Sequence, residues 1–331
     1  MQSCRIIGWY NKNNIGDESY KVSFPKLFPQ FDFDFEGKKE QYDICILGGG
    51  DILNDHYVSK ALACSAAKRY VISTSAGTAA PLEQLPQFDG IFVRDIRSVK
   101  YLREKGVQCA YMPDVSIGLE PDKESGVQLL ERMFRQEGLE LYEKRIGLVL
   151  NAHLMYAKDG ILARDFITFL KSVQDMAKLA DSISASFIFF PMSTQMPYDD
   201  RIANGFVASR CKFWKKNWLV QERLTVQDTL NLVSACDALV STRLHSSVFA
   251  LNSQTPFLDV LHHDKSRSFL ETIHHEGHSV SYWDFSFKEL EDAVERLLSN
   301  SEAHARKLKW THHHQIETLK REAENVCCVK Q

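Results

Sequence analysis

The run Ile44-Cys-Ile-Leu47, closed by Gly48-Gly-Gly50, constrains the fold more tightly than any other part of the chain. A strand with one wet face alternates apolar and polar residues. One that is apolar throughout must be covered on both sides, as in a parallel sheet layered between helices. The glycines read as a turn that residues without a Cβ enter easily. The first third repeats the pattern, with strands expected at 4–9, 70–73, 91–93 and 109–112 and helices in parts of 17–28, 53–67 and 95–105. Residues 113–126, with Asp114, Gly118 and Pro121, are polar and turn-forming and read as a linker.

The second half resumes the alternation. Strands are expected at 147–150, 186–190, 237–241 and 256–261, and a helix within 160–180. A loop rich in Pro, Met and Asp follows 190. Thr225-Val-Gln-Asp228 and Ser286-Phe-Lys-Glu289 are capping-box signals, opening helices to about Ala235 and along the face Leu290, Val294, Leu297 and Leu298. A further helix carries Val248, Phe249 and Leu251, and a charged, peripheral helical stretch runs to about Ala323. At 331 residues the chain exceeds what one core ordinarily serves. The expected fold class is α/β, with two similar units, 1–120 and 121–331, facing one another across a cleft.

Composition limits the function. Hydrophobic residues at 44% and charged residues at 25% mark a globular protein. A net charge of −3 provides no general basic field for nucleic acid or an anionic membrane, so any anion must be held locally. No apolar run approaches the roughly 20 residues that cross a bilayer, and Met1-Gln-Ser-Cys-Arg5 leads into a strand rather than a signal sequence. A cytoplasmic protein is expected, with peripheral attachment at the inner face of the membrane left open. Eight scattered cysteines without a CxxC pair read as reduced thiols.

Candidate site residues gather where strands give way to helices. In Val240-Ser-Thr-Arg-Leu-His-Ser-Ser-Val-Phe-Ala250, free N–H groups and the helix dipole favour an anion. Arg243 adds a planar fork of donors there, and His245 a group able to move a proton near neutral pH. Lys265 and Ser266 follow the next strand on the same sheet edge and suit phosphate, although a lysine in a loop is commonly just solvated. Arg94 falls at the carboxyl end of strand 91–93; an Arg94–Asp95 ion pair capping a helix is the structural alternative. The loop 8–18 offers Asn13 and Asp17, the latter as helix cap or base, and Gly48-Gly-Gly-Asp51 offers Asp51 to an acceptor hydroxyl. Ordinary turn roles account for both loops equally well. GxGxxG, GxxxxGK[ST] and HExxH are absent, and among twelve histidines the run His312-His-His314 faces several directions, so no metal site is expected.

Taken in order, these segments resemble the polysaccharide pyruvyl transferase family. The resemblance is carried by Gly8 with Asn13-Asn14-Ile-Gly-Asp-Glu18, Gly48-Gly-Gly-Asp51, Phe92-Val-Arg-Asp95 with Ser98 and Leu102, Pro113-Asp114, and Thr242-Arg-Leu-His245 followed by Pro256 and Asp264-Lys265. It implies two Rossmann-like domains facing across a cleft, similar to GT-B glycosyltransferases. It implies phosphoenolpyruvate as co-substrate with no cofactor, and a sugar or oligosaccharide acceptor, free or lipid-linked, that becomes a cyclic pyruvate ketal in an exopolysaccharide or other cell-envelope glycan. Carried over, Arg94, His245, Lys265 and Ser266 would surround the donor, with Tyr10 from the N-terminal loop; Arg243 is added from its local chemistry. Lys12, where the family often has an uncharged residue, and the loose segment Ser73-Thr-Ser-Ala-Gly77 depart from the pattern and point to an unusual acceptor.

The residues support a mechanism in which Arg94, Arg243 and Lys265 anchor a dianion, His245 carries the proton, and Asn13, Asp17 or Asp51 orients the acceptor. The rival readings are a nucleotide-sugar glycosyltransferase and a catalytically silent sugar-binding protein. An oligomer is left open.

Overall fold

In the computed structural model, the described residues are 1–155 and 162–328. Two six-stranded sheets, all of whose pairings are parallel, organise the two halves. The first contains β1 (Gln2–Ile7), β2 (Phe31–Asp34), β3 (Tyr42–Gly50), β4 (Ala66–Thr74), β5 (Gly90–Val93) and β6 (Ala110–Tyr111), in the order β2-β1-β3-β4-β5-β6. The second contains β7 (Arg145–Val149), β8 (Ser186–Phe189), β9 (Asn217–Leu219), β10 (Ala238–Ser241), β11 (Phe257–Leu261) and β12 (Ser279–Ser281), in the order β9-β8-β7-β10-β11-β12. Counted within its own half, that is the 3-2-1-4-5-6 order of a Rossmann sheet, and the first sheet follows the related flavodoxin-like order.

Helices cover both faces of each sheet: α1 (Ile15–Leu27), α2 (Asp55–Ala63) and α3 (Ile96–Glu104) in the first half, then α4 (Lys123–Gln136), α5 (Leu162–Ser182), α6 (Asp200–Ala208), α7 (Val226–Ser234), α8 (Leu244–Ser253), α9 (Asp264–Thr272), α10 (Phe287–Ser299) and α11 (Ser301–Cys328). Ile44, Cys45, Ile46 and Leu47 are all buried, their side chains divided between core clusters on the two faces of the first sheet. Both capping boxes form as the sequence indicates. None of the described helices is long and apolar enough to cross a membrane.

Several elements differ from the sequence reading. The stretch 113–126 is not an open linker: Val115–Gly118 forms a 3-10 turn, and α4 begins at Lys123 under the cap of Asp122. The edge strands β2, β9 and β12 and the short helix α6 were not anticipated. They are brief, and α6 opens on Asp-Arg rather than on an apolar periodicity. The triple glycine belongs to β3 itself. Gly49 and Gly50 have φ of +79° and +74°, and a Cβ on Gly49 would lie 2.4 Å from the Tyr20 ring, so close approach as well as conformation requires glycine there.

The halves are joined by more than the connecting chain. The Ile15 N–H donates to the Met192 carbonyl (2.8 Å), the Asn252 amide to the Ser116 carbonyl (2.8 Å), and the Ser268 hydroxyl to Asp95 (2.6 Å). Arg97 pairs with Glu271 between α3 and α9. Nor is α11 wholly peripheral: Leu308 lies in a core cluster of the second half, whereas Leu319, Ala323 and Val326 are buried with Tyr20, Phe28 and Phe31 of the first.

Helices α4 and α7 meet where Gly126 leaves no room for a side chain, since a Cβ there would lie 2.0 Å from the Asn231 carbonyl oxygen. Gly126→Val should therefore wedge the pair apart and destabilise the fold by about 1–3 kcal/mol, visible as a lowered midpoint in urea.

Candidate active site

In a doubly wound sheet, ligands bind beyond the carboxyl ends of the strands where the strand order reverses. The reversal lies between β1 and β3 in the first sheet and between β7 and β10 in the second. The residues following these strands line one cleft of about 340 Å³: Trp9, Gly50 and Asp51 from the first sheet, Asn151, Thr242 and Arg243 from the second. Of the expected residues, Asp17, Arg94, His245 and Lys265 line the same space, so side chains as far apart in sequence as Trp9 and Lys265 share a single cavity.

Arg94 is the centre of the arrangement. Its side chain is 5% exposed, and four of its five N–H groups are engaged: Nε with Ser75 Oγ (2.9 Å), Nη1 with Tyr20 Oη (2.9 Å) and Asp114 Oδ2 (3.0 Å), and Nη2 with Asp51 Oδ1 (2.9 Å). Each acid leads on to another site residue. Asp114 Oδ2 lies 3.6 Å from His245 Nε2, which also contacts Tyr20 Oη at 3.1 Å, and Asp51 Oδ2 lies 3.2 Å from Lys265 Nζ. The Arg94–Asp95 ion pair considered above is not formed by this geometry. Asp95 instead caps α3, accepting from the Ser98 N–H at 2.9 Å.

These pairings govern protonation. Partial desolvation opposes the charge on the half-exposed Asp51 and burial opposes that on Asp114, but Lys265 and Arg94 hold Asp51 below the usual carboxylate range, and His245 and Arg94 do the same for Asp114. Asp17 differs. Burial pushes it up to about 6 despite His245, Lys265 and Arg94 nearby. The helix cap is Asn14, whose side chain accepts from the Gly16 N–H at 3.1 Å, so Asp17 sits in the first turn of α1 facing the cleft rather than serving as cap.

Arg243 is fixed from below by Asp200, which is fully buried and receives Arg243 Nε (3.1 Å) and Nη2 together with the N–H groups of Ala152, Met192 and Ser193. His245 is seated against Gly16, where a Cβ would lie 2.2 Å from Nδ1. Both Arg243 and His245 stand at the start of α8, and Lys265 in the first turn of α9, so two helix N-termini open on the cleft.

Three residues expected in the site are elsewhere. Tyr10 is buried beneath Gly8 and donates its hydroxyl to the Gly48 carbonyl, packing edge-on against Phe35. An aromatic ring following a strand is drawn into the core here, and Trp9 takes the cleft position. Ser266 is buried at 3% exposure on the inner side of α9. Asn13 adopts a left-handed φ of +55°, accepts from the Thr194 N–H, and lines a separate depression beside Arg223; Asn14 faces the cleft in its place. Conversely, Tyr20, Ser75 and Asp200 were not singled out, and Asp114 only as a landmark. The loose segment Ser73-Thr-Ser-Ala-Gly77 proves to be the cradle of Arg94.

Removing the Arg94 guanidinium leaves Asp114 buried without the ion pair it makes at 3.0 Å. Arg94→Ala should cost about 3–5 kcal/mol in denaturant unfolding. Asp17 has its folded pKa raised, so its contribution to stability is present below the ordinary carboxylate range and lost as pH rises through about 6. Asp17→Asn should accordingly gain thermal stability over the native protein at pH 8 and lose that advantage at pH 4; parallel melting curves across pH would count against the buried charge.

A family model described as polysaccharide pyruvyl transferase matches residues 3–264. No curated protein matches the chain. Among solved structures, UDP-GlcNAc 2-epimerase from Neisseria meningitidis bound to UDP-GlcNAc aligns with 97% of this chain and 100% of its own, at TM-score 0.56 and 10% identity. The S. aureus MnaA–UDP structure covers 93% of this chain and 90% of its own, at TM-score 0.60 and 10% identity. A glycosyltransferase from Rickettsia africae ESF-5 covers 97% and 83%, at TM-score 0.55 and 11% identity. At such identities the likeness is one of fold, that of paired Rossmann-like domains similar to GT-B glycosyltransferases. The match over residues 3–264 spans most of the sequence, and the chain belongs to the polysaccharide pyruvyl transferase family.

Proposed function

We propose that the protein transfers the pyruvyl group of phosphoenolpyruvate to two hydroxyls of a sugar in a glycan or glycan precursor, closing a cyclic ketal and releasing phosphate. The observation that carries this reading is the convergence of Arg94, Arg243, His245 and Lys265 on one cleft with two helix N-termini. Such a site suits a small ligand with two anionic ends.

A proton is added to the methylene carbon of phosphoenolpyruvate, making C2 electrophilic. One sugar hydroxyl adds there, the bond from C2 to the phosphate oxygen breaks, and the second hydroxyl adds to close the ring. Of the two hydroxyl protons, one replaces that given to the methyl carbon and the other leaves with phosphate. Lys265 and the outer edge of Arg243 take the anionic groups in this reading. Arg94 serves mainly by holding Asp51 and Asp114, with one N–H left for the donor.

His245 is the proposed proton carrier. Its Nε2 faces the anionic Asp114, which favours the hydrogen on that nitrogen and leaves Nδ1, above Gly16, to exchange a proton with the ligand. Asp17, poised near pH 6, is the group proposed to accept a proton from the acceptor hydroxyls, and Asp51, held ionised, to orient them.

Incubation with phosphoenolpyruvate and a panel of galactosides, glucosides and mannosides should release phosphate together with a product heavier by a pyruvyl group. His245→Ala should lower kcat by about 10²–10⁴-fold with donor binding largely kept. Release of a nucleotide from UDP-sugars with indifference to phosphoenolpyruvate would establish the glycosyltransferase reading instead.

A further inference from the structure

We propose that the chamber leading from the cleft onto the second domain is an extended acceptor site for a neutral oligosaccharide, with Trp283 as a stacking platform. This rests on the pyruvyl-transfer reading of the cleft and names the class of acceptor.

The 340 Å³ cleft continues, past the shared residues Asn14, Asp51, Asn151, Arg243 and Lys265, into a cavity of about 1050 Å³. Small-molecule sites usually enclose ~300–1,000 Å³. A three-carbon phosphoester and the reacting sugar ring fit the smaller space, whereas the larger has room for several further rings. It extends beyond the ends of β11 and β12, where Tyr282 and Trp283 follow the edge strand.

The wall selects for charge. Beyond the shared residues, the described lining contains no lysine or arginine, and Asp264 is its one carboxylate. His262 is kept neutral by burial, with His263, Lys265 and Arg243 adding to the effect. The two shared cations already have partners, Arg243 with Asp200 and Lys265 with Asp51. Among the described residues, a nucleoside diphosphate would find no further lysine or arginine there. Hydroxyl-bearing neutral rings would meet amide, hydroxyl and imidazole groups suited to them.

The wall also supplies flat apolar surface. Trp283 is 53% exposed and stands edge-on to Tyr282, with ring centres 5.3 Å apart. His153 and Tyr198 form a second platform, stacked 3.7 Å apart and nearly parallel. A pyranose presents one face of C–H groups that packs on such rings while its hydroxyls remain free for polar neighbours.

The test compares kcat/KM for phosphate release from phosphoenolpyruvate over mono- to tetrasaccharides of galacto, gluco and manno configuration. Saturation-transfer NMR on the same sugars without donor runs in parallel. The trisaccharide should exceed the monosaccharide by about tenfold, through KM. Trp283→Ala should remove most of that ratio and Trp283→Phe restore a good part of it, with circular dichroism checking that each variant folds. A flat length series, a ratio untouched by Trp283→Ala, or no binding by any sugar would overturn the inference. So would UDP competing with the trisaccharide in a Trp283-dependent way. Sugars that bind through Trp283 without turnover would retain the chamber and refute pyruvyl transfer; turnover with a flat series would do the reverse.

Discussion

A guanidinium removed from water is stable only among anions and hydrogen-bond acceptors placed to receive it, and Arg94 organises this cleft for that reason. Asp51 and Asp114 neutralise it from two sides. Because each acid has a second contact, with Lys265 or His245, the position of one buried cation sets the positions of two groups on the opposite domain. Tyr20 reinforces the arrangement by donating to Asp114 at 2.7 Å and accepting from Arg94 and the Gly50 N–H. The glycine at 49 lets that ring in.

The fixed charges nearly cancel. Arg94, Arg243 and Lys265 face Asp51, Asp114 and Asp200, which leaves Asp17 as the acid whose ionisation burial opposes. The resting cleft is therefore preorganised without a large excess of one sign. The dianion proposed as donor would draw on helix N-termini and on rearranged pairings rather than on unpaired cations.

Most of the sheet framework could be read from the sequence, because runs such as Ile44-Cys-Ile-Leu47 carry a local signal of burial on both faces. Short edge strands and α6 carry little, since a three-residue strand has no periodicity to detect. Helix α4 was hidden because Asp122 and Gly126 look like turn residues, although one caps the helix and the other allows it to approach α7. In the site, the strand-end positions of Arg94, Arg243, His245 and Lys265 were visible in the pattern. Which way a side chain turns was not. Tyr10 and Trp9 are neighbours, and it is the contact with Phe35 and the hydrogen bond to the Gly48 carbonyl that hold the tyrosine inward. The partners of the cations, Tyr20, Ser75, Asp114 and Asp200, lie far off in sequence, and nothing local joins them to the residues they hold.

Helix α11 has a mechanical consequence. Its early turns are anchored in one core and its later turns in the other, so it acts as a strut fixed at both ends. Such a member resists the sliding of one half past the other far more than it resists rotation about its own line. Any displacement of one half against the other would have to be borne by this helix as well as by the pairings that cross the cleft.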